Sequence, residues 1–197
     1  MRDIIRMVVI LGIMAACGGA LLAGVKAGTA EQIEYQQLKF VKGPAIIEIL
    51  QGCTNDPIVD RFKLKDGDVE RSFFVGVFDG KPSAVVFESF GKGFAGDVGV
   101  MVGVGLETDQ MIGMGVTTHS ETPGLGSRAK DDPSFRAQFK GLSINEPVKV
   151  KSDGGQIDSV SGATITSRGV CQGVTDSQGF YSTLKPQIVE QAKAFAK

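Results

Sequence analysis

The run Asp158-Ser159-Val160-Ser161-Gly162-Ala163-Thr164-Ile165-Thr166-Ser167 concentrates hydroxyls on a turn of small residues just where a helix is predicted to begin. Ser161, Gly162 and Ala163 keep side-chain bulk away from the backbone. The first N–H groups of a helix have no acceptor within it, so they face any anion placed there. Thr164 is read as the attachment point of a phosphate-bearing group, and Thr166, two residues on, is its rival hydroxyl. The same residues suit an ordinary capped helix start, since Ser and Thr are preferred N-caps. Local physics does not separate the two readings.

A second dense loop is His119-Ser120-Glu121-Thr122-Pro123-Gly124-Leu125-Gly126, which contains the only histidine. Gly124 and Gly126 permit backbone to approach a flat ring, Leu125 could pack on that ring, and Glu121 could hydrogen-bond a polar edge. A lone His without a Cys or carboxylate cluster makes a poor metal site, and a solvated or capped loop residue is its plain alternative. Ser161, His119 and Asp158 could form a hydrolytic triad, but Ser161 lacks the Gly-x-Ser-x-Gly elbow. Gly91-Lys92-Gly93-Phe94-Ala95-Gly96 has dinucleotide-fingerprint spacing. A strand-like stretch follows it where the fingerprint demands a helix, so a glycine-rich turn is expected instead.

The elements that must position these loops are short strands and helices. Strand-like runs occur at Arg61 to Leu64, Ser72 to Phe78 and Ser83 to Phe87, the last two joined by Asp79-Gly80-Lys81-Pro82, a hairpin signal. Gly99 to Leu106 and Met111 to Thr118 form a second pair, whose interspersed glycines predict one face packed closely against another element. Asp132-Pro133 supplies an N-cap and first-turn proline for a helix ending at Gly141. A strand is expected at Pro147 to Lys151, then helices from Thr166 to Leu184 and Pro186 to Phe195. Upstream, Glu31 to Gln51 reads as amphipathic helix broken at Gly43-Pro44. Meandering strands with interspersed helices predict an α+β fold with an antiparallel sheet. Glycine, 27 of 197 residues, is about twice the ~7% norm and clusters around these loops, which indicates tight turns and close backbone approach.

Met7 to Val25 is an uncharged, mostly apolar run of 19 residues, long enough as a helix to cross roughly 28 Å of hydrocarbon. Arg2 and Arg6 precede it, while Glu31 and Glu34 follow Lys26, so a cytoplasmic N-terminus and an exported domain are expected. A secretory signal, or a lipoprotein box at Met14-Ala15-Ala16-Cys17, shares this pattern; a retained anchor is the preferred reading. About 170 residues remain, enough for one domain with a real core. We expect 1–27 as cytoplasmic start and anchor, 28–56 as a helical linker, and 57–197 as the domain. Net charge is -1, and no basic stripe invites nucleic acid. Cys17, Cys53 and Cys171 match no zinc or iron-sulfur spacing; Cys53 and Cys171 could pair in an oxidising compartment.

Taken together, the two loops resemble a known family. Asp158-x-x-Ser161-Gly162-Ala163-Thr164 is similar to the flavinylation signature of the FMN-binding domain shared by the G subunit of the Rnf electron-transport complex and the C subunit of the sodium-translocating NADH:quinone reductase. His119-x-Glu121-Thr122-Pro123-Gly124-Leu125-Gly126 resembles the companion loop, and the order of span, strand pair, loop, short helix and threonine motif is similar over most of residues 1–185. The resemblance implies FMN held by a phosphoester to Thr164, installed by a flavin transferase that uses FAD and depends on Asp158, Gly162 and Thr164. It implies ring contacts from Glu121 and Thr122 to Gly126. It also implies other membrane subunits as partners and a bacterial inner-membrane site, with the flavin domain on the outer side. The compact chain is more similar to the Rnf G subunit, hence an electron carrier of an ion-translocating ferredoxin:NAD oxidoreductase complex that is not catalytic alone. The alternatives are the quinone-reductase subunit or a flavin-free, membrane-anchored binding or assembly protein. Phe94-Ala95 stands where relatives often carry Tyr-Ser, and Ser127-Arg128 where an acidic-Lys pair is common.

Overall fold

A computed structural model describes residues 2–196; Met1 and Lys197, where the expected first and last segments begin and end, lie outside the described residues. The chain forms two compact units, 1–38 and 39–197. The first is a single helix, α1 (Arg2–Gln37), whose Arg2–Ala30 portion is long and apolar enough to cross a membrane. The expected amphipathic linker helix is therefore not separate from the span. No proline stands between Val25 and Gln37, so α1 carries straight through.

A π-helical turn, Leu38–Lys42, crosses into the second unit and leads to α2 (Gly43–Ile49). The break expected at Gly43-Pro44 takes the form of this wider turn, with Pro44 in the first turn of α2, where a missing N–H costs nothing. Five strands follow as an antiparallel meander in sequence order: β1 (Arg61–Asp66), β2 (Val69–Phe78), β3 (Lys81–Lys92), β4 (Asp97–Gly105) and β5 (Met111–Val116). The β2–β3 hairpin turns at Asp79 and Gly80 with φ of 51° and 74°. Two positive φ values in succession define the I′ turn whose twist matches the flanking strands, which is why Asp-Gly signals it. β3 and β4 are joined by the glycine-rich turn at residues 93–96, so the dinucleotide-like spacing is a hairpin without a following helix.

Beyond β5 come α3 (Arg128–Asp131), α4 (Pro133–Ala137) and α5 (Thr164–Lys193). Asp132 caps α4, its carboxylate accepting the Ser134 N–H at 2.9 Å. That helix is shorter than expected. After Ala137 the amides of Gln138, Phe139 and Lys140 bond three residues back rather than four, which tightens the chain into turns that end at Gly141 with φ 85°. The strand expected at Pro147 to Lys151 reduces to one parallel bridge, Val150 to Ile157. Its alternating valines are buried, but both backbone groups of Val148 bond the Thr175 hydroxyl of α5 instead of a neighbouring strand. The two expected C-terminal helices are one. Pro186 and Ser182, whose carbonyl it deprives of its helical donor, are both exposed, so that carbonyl is open to solvent while Leu184, Ile188 and Ala192 stay buried.

α2 packs on the β4–β5 end of one sheet face, and α5 covers the other. The core between β2, β3 and α5 is aromatic: Phe87 meets Phe73 at 5.7 Å, Phe180 at 5.3 Å and Tyr181 at 5.6 Å between ring centroids. At the end of β3, α5 comes into direct backbone contact. A Cβ on Gly91 would collide with the Gly169 carbonyl and lie 2.7 Å from the Gly173 amide. Glycine at 91, 169 and 173 thus seats the start of α5 against the β3–β4 turn.

Candidate functional site

At that seat three segments meet: the β3–β4 turn, the loop after β5, and the first turn of α5. Glu121 joins all three. Only 6% exposed, its Oε1 accepts the Ala95 N–H at 2.9 Å and its Oε2 accepts the Thr166 hydroxyl at 2.5 Å. Two glycines make room for this carboxylate. A Cβ on Gly93 would lie 2.5 Å from Oε1, and one on Gly126 would lie 2.6 Å from Oε2 and 2.9 Å from Thr166 Oγ1. A buried carboxylate is tolerable when its oxygens accept such bonds.

The cavity beside Glu121 has a volume of about 370 Å3 and is lined by Phe94, Glu121, Thr122, Leu125, Gly126 and residues 162–166. Both motifs singled out from the sequence therefore border one space. Thr164 is the first residue of α5, half-buried, and its hydroxyl has no hydrogen-bond partner among the described residues. Among the described residues, the N–H groups of Thr164, Ile165 and Thr166 find no backbone acceptor outside the helix, leaving the anion-favouring end of a 30-residue helix at the cavity wall. Thr166 differs in kind: it is 2% exposed and its hydroxyl is already given to Glu121.

Other motif residues lie outside the cavity. Asp158 is exposed and pairs with Lys151 at 2.6 Å, while its backbone N–H and C=O are both held by the Gln138 amide, at 2.7 and 3.2 Å. Ser161 is exposed beside it. Gly162 turns the chain with φ 79°, and a Cβ there would lie 2.9 Å from Leu125 Cδ1. Pro123 and Gly124 form the exposed loop tip, where the Gly124 N–H donates to Ser127 Oγ at 2.9 Å. His119 is not part of the cavity lining, and its buried Nδ1 has no hydrogen-bond partner among the described residues. No hydrogen bond joins Ser161, His119 and Asp158 among the described residues, so the hydrolytic arrangement has no geometry here.

Three participants were named in the sequence motifs but not among the candidate site residues. Phe94, 72% exposed, and Ile165, 47% exposed, put apolar surface on the cavity rim; a large apolar side chain in a glycine-rich turn was the available signal for Phe94. Ser167, fully buried, bonds back into the turn before α5. The cysteines are all free. Cys171 is buried, which pushes its thiol up to about 12 and leaves it unreactive.

The residues fit a phosphorylated, flat-ringed ligand: open amides and a free hydroxyl at a helix start, backbone brought close by Gly126 and Gly162, and apolar walls from Phe94, Leu125 and Ile165. Comparison with known proteins points the same way. A family profile described as an FMN-binding domain matches residues 93–178, which enclose every residue of the cavity. The chain is 31% identical over 206 aligned residues to the G subunit of the ion-translocating oxidoreductase complex of Pseudomonas aeruginosa, covering 98% of this chain and 95% of that one. It is 30% identical to the protein of the same name from Methanosarcina acetivorans, covering 92% and 96%. Among solved structures, the C subunit of the Na(+)-translocating NADH-quinone reductase of Parabacteroides distasonis superposes with a TM-score of 0.52 at 29% identity, over 59% of this chain and 63% of that one. NqrC of Shewanella oneidensis superposes with a TM-score of 0.53 at 26% identity, over 70% and 71%.

Proposed function

This chain belongs to the G-subunit family of ion-translocating oxidoreductase complexes, and we propose that within such a complex its FMN is carried as a phosphoester on Thr164. It is a membrane-anchored, FMN-binding electron-transport subunit that works with other subunits. The isoalloxazine supplies one- and two-electron redox chemistry when bound, and the protein supplies tethering, orientation and hydrogen bonds. Two relatives matched over nearly their whole length, both G subunits by name, favour the Rnf-type complex over the quinone reductase.

The observation that carries the ester assignment is the contrast between two hydroxyls on one helical turn. Thr164 lines the cavity uncommitted, whereas the Thr166 hydroxyl is buried and bonded to Glu121. A separate flavin transferase, with FAD as donor, makes the ester by recognising the turn around Asp158, Ser161, Gly162 and Ala163. Leu125, Gly126, Thr122 and the neighbouring loop tip of Pro123 and Gly124 flank the ring. Residues 1–27 anchor the chain with its N-terminus in the cytoplasm, 28–56 form a helical link that ends with α2 packed on the sheet, and 57–197 hold the flavin outside the inner membrane. An ester suits that location, because an exported flavin held reversibly is lost to dilution.

Intact mass and peptide mapping after coexpression with a flavin transferase test this directly. The expected result is an FMN-sized increment on the Thr164 peptide, absent in Thr164→Ala and retained in Thr166→Val. The reverse pattern moves the ester to Thr166, and a wild-type chain without any increment overturns the assignment.

A further inference from the structure

We infer that Ser167 is a positioning residue for the modification of Thr164, its buried hydroxyl clamping the turn Val160–Ala163 so that the acceptor oxygen is held for attack. This rests on the reading of Thr164 as the ester-bearing residue.

Ser167 is fully buried, and its Oγ makes two bonds. It accepts the Val160 N–H at 3.0 Å and donates to the Ala163 carbonyl at 3.0 Å. The Ala163 N–H in turn donates to the Val160 carbonyl at 2.9 Å, closing a four-residue turn whose third member, Gly162, has φ 79°. A positive φ at that position is what a type II turn requires. One hydroxyl therefore holds both ends of the turn that delivers the chain into Thr164. The bond to Ala163, four residues back, is the ordinary habit of a helical serine. The bond from Val160 is not, and it gives a buried amide outside the helix its acceptor. The neighbouring part of the motif is secured independently, since both backbone groups of Asp158 are held by Gln138.

The chemistry explains why such a clamp matters. The Thr164 hydroxyl oxygen attacks the phosphorus on the flavin side of FAD, forming the new P–O ester bond. The bond from that phosphorus to the bridging oxygen breaks, AMP leaves with the bridging oxygen, the hydroxyl proton is released, and nothing is oxidised or reduced. In-line displacement depends on how the attacking oxygen is held, and misplacement by a fraction of an ångström lowers turnover without weakening encounter. Loosening the turn while leaving Asp158 pinned should reduce kcat of transfer and spare KM.

The test uses full-length apoprotein in detergent with a bacterial flavin transferase and FAD, following initial rates by intact mass. Wild type, Ser167→Ala and Ser177→Ala are compared, because Ser177 is an equally buried hydroxyl of the same helix whose one bond among the described residues is to the Val174 carbonyl, at 2.6 Å. Thermal unfolding of each apoprotein and amide exchange at Val160 are measured alongside. For Ser167→Ala we expect kcat to fall about tenfold or more and KM for the protein to stay within about twofold, with faster exchange at Val160. Ser177→Ala, which removes a buried hydroxyl of the same helix without depriving a backbone amide of its acceptor, should transfer at the wild-type rate. Wild-type rates in Ser167→Ala, equal slowing in both variants, or a raised KM with unchanged kcat would each overturn the role of Ser167 while leaving the Thr164 ester standing. A wild-type protein that takes no flavin on Thr164 overturns the underlying reading, and the clamp with it.

Discussion

The Thr166 hydroxyl donates a 2.5 Å hydrogen bond to Glu121 Oε2, tying the loop after β5 to the first turn of α5. With the Ala95 N–H on its other oxygen, Glu121 is a strut between three segments of the cavity wall. Both of its oxygens are engaged by the protein, so its first task is to hold the walls in register. Removing it leaves a buried hydroxyl and a backbone amide without their acceptor. Glu121→Ala should lower unfolding stability by about 3 kcal/mol, read from urea midpoints of the apoprotein. A loss below about 0.5 kcal/mol, the scale of an ordinary surface change, would show that the strut is dispensable.

Gly126 and Gly124, two residues apart, should respond to alanine for different reasons. At Gly126 the new Cβ would lie 2.6 Å from Glu121 Oε2, 2.7 Å from its Cβ and 2.9 Å from Thr166 Oγ1, so the strut must break or the loop must move. Gly126→Ala should cost about 1–3 kcal/mol by overpacking and impair flavin loading. At Gly124 nothing lies within 4 Å, but φ is 74°, so Gly124→Ala carries only the backbone penalty, about 1 kcal/mol. Its loading defect should be smaller than that of Gly126→Ala. Equal loading defects in the two variants would contradict this division.

How much of this could be read from the chain itself depends on how local each signal is. Asp79-Gly80 announced the β2–β3 hairpin because the I′ turn is set by the two residues that make it. The loops around Glu121 and Thr164 stood out by composition, and they do border one cavity. Signals resting on long-range partners were misread or missed. The valines at 148 and 150 alternate like a strand, yet their segment is fixed by Thr175 of α5. Pro186 looks like a helix end, but its exposed side makes it tolerable once Leu184 and Ile188 are buried. The contact of Gly91 with Gly169 and Gly173 joins residues more than 70 positions apart, and no periodicity announces such a pairing.

Asp109 gives the fold a defined sensitivity to acid. It stands in the β4–β5 turn with φ 55° and accepts from Tyr181 at 3.0 Å and from Lys185 at 2.6 Å, both on α5. Burial alone would push its carboxyl up, but the bonds from Lys185, Tyr181 and Asn145 outweigh that and hold it below its ordinary value. The unfolded chain then binds more protons than the folded one through this range. Its contribution is complete above the unfolded value and disappears as pH falls through the lower folded value. The stability gap between wild type and Asp109→Asn should therefore be widest near neutral pH and shrink as pH falls through and below the ordinary carboxylate range, as measured by urea unfolding across pH. A gap that stays constant would mean that the carboxylate charge contributes nothing.

Phe94 separates stability from ligand chemistry more cleanly than any other residue of the site. It is 72% exposed on the cavity rim, within a turn whose position is already set by Glu121 and by the glycines around it. An exposed ring with no ring partner among the described residues contributes little to folding. Phe94→Ala should change apoprotein stability by less than about 0.5 kcal/mol. If the ring lies against the flavin, the same variant should shift the visible absorption of the loaded protein and alter its reduction potential, since replacing an aromatic face by water changes the polarity around the isoalloxazine. Phe94→Tyr keeps the aromatic face and should retain the wild-type spectrum. An unchanged spectrum and potential in Phe94→Ala would remove this residue from the flavin's surroundings, whereas a marked loss of apoprotein stability would instead mean that its ring is packed in solution.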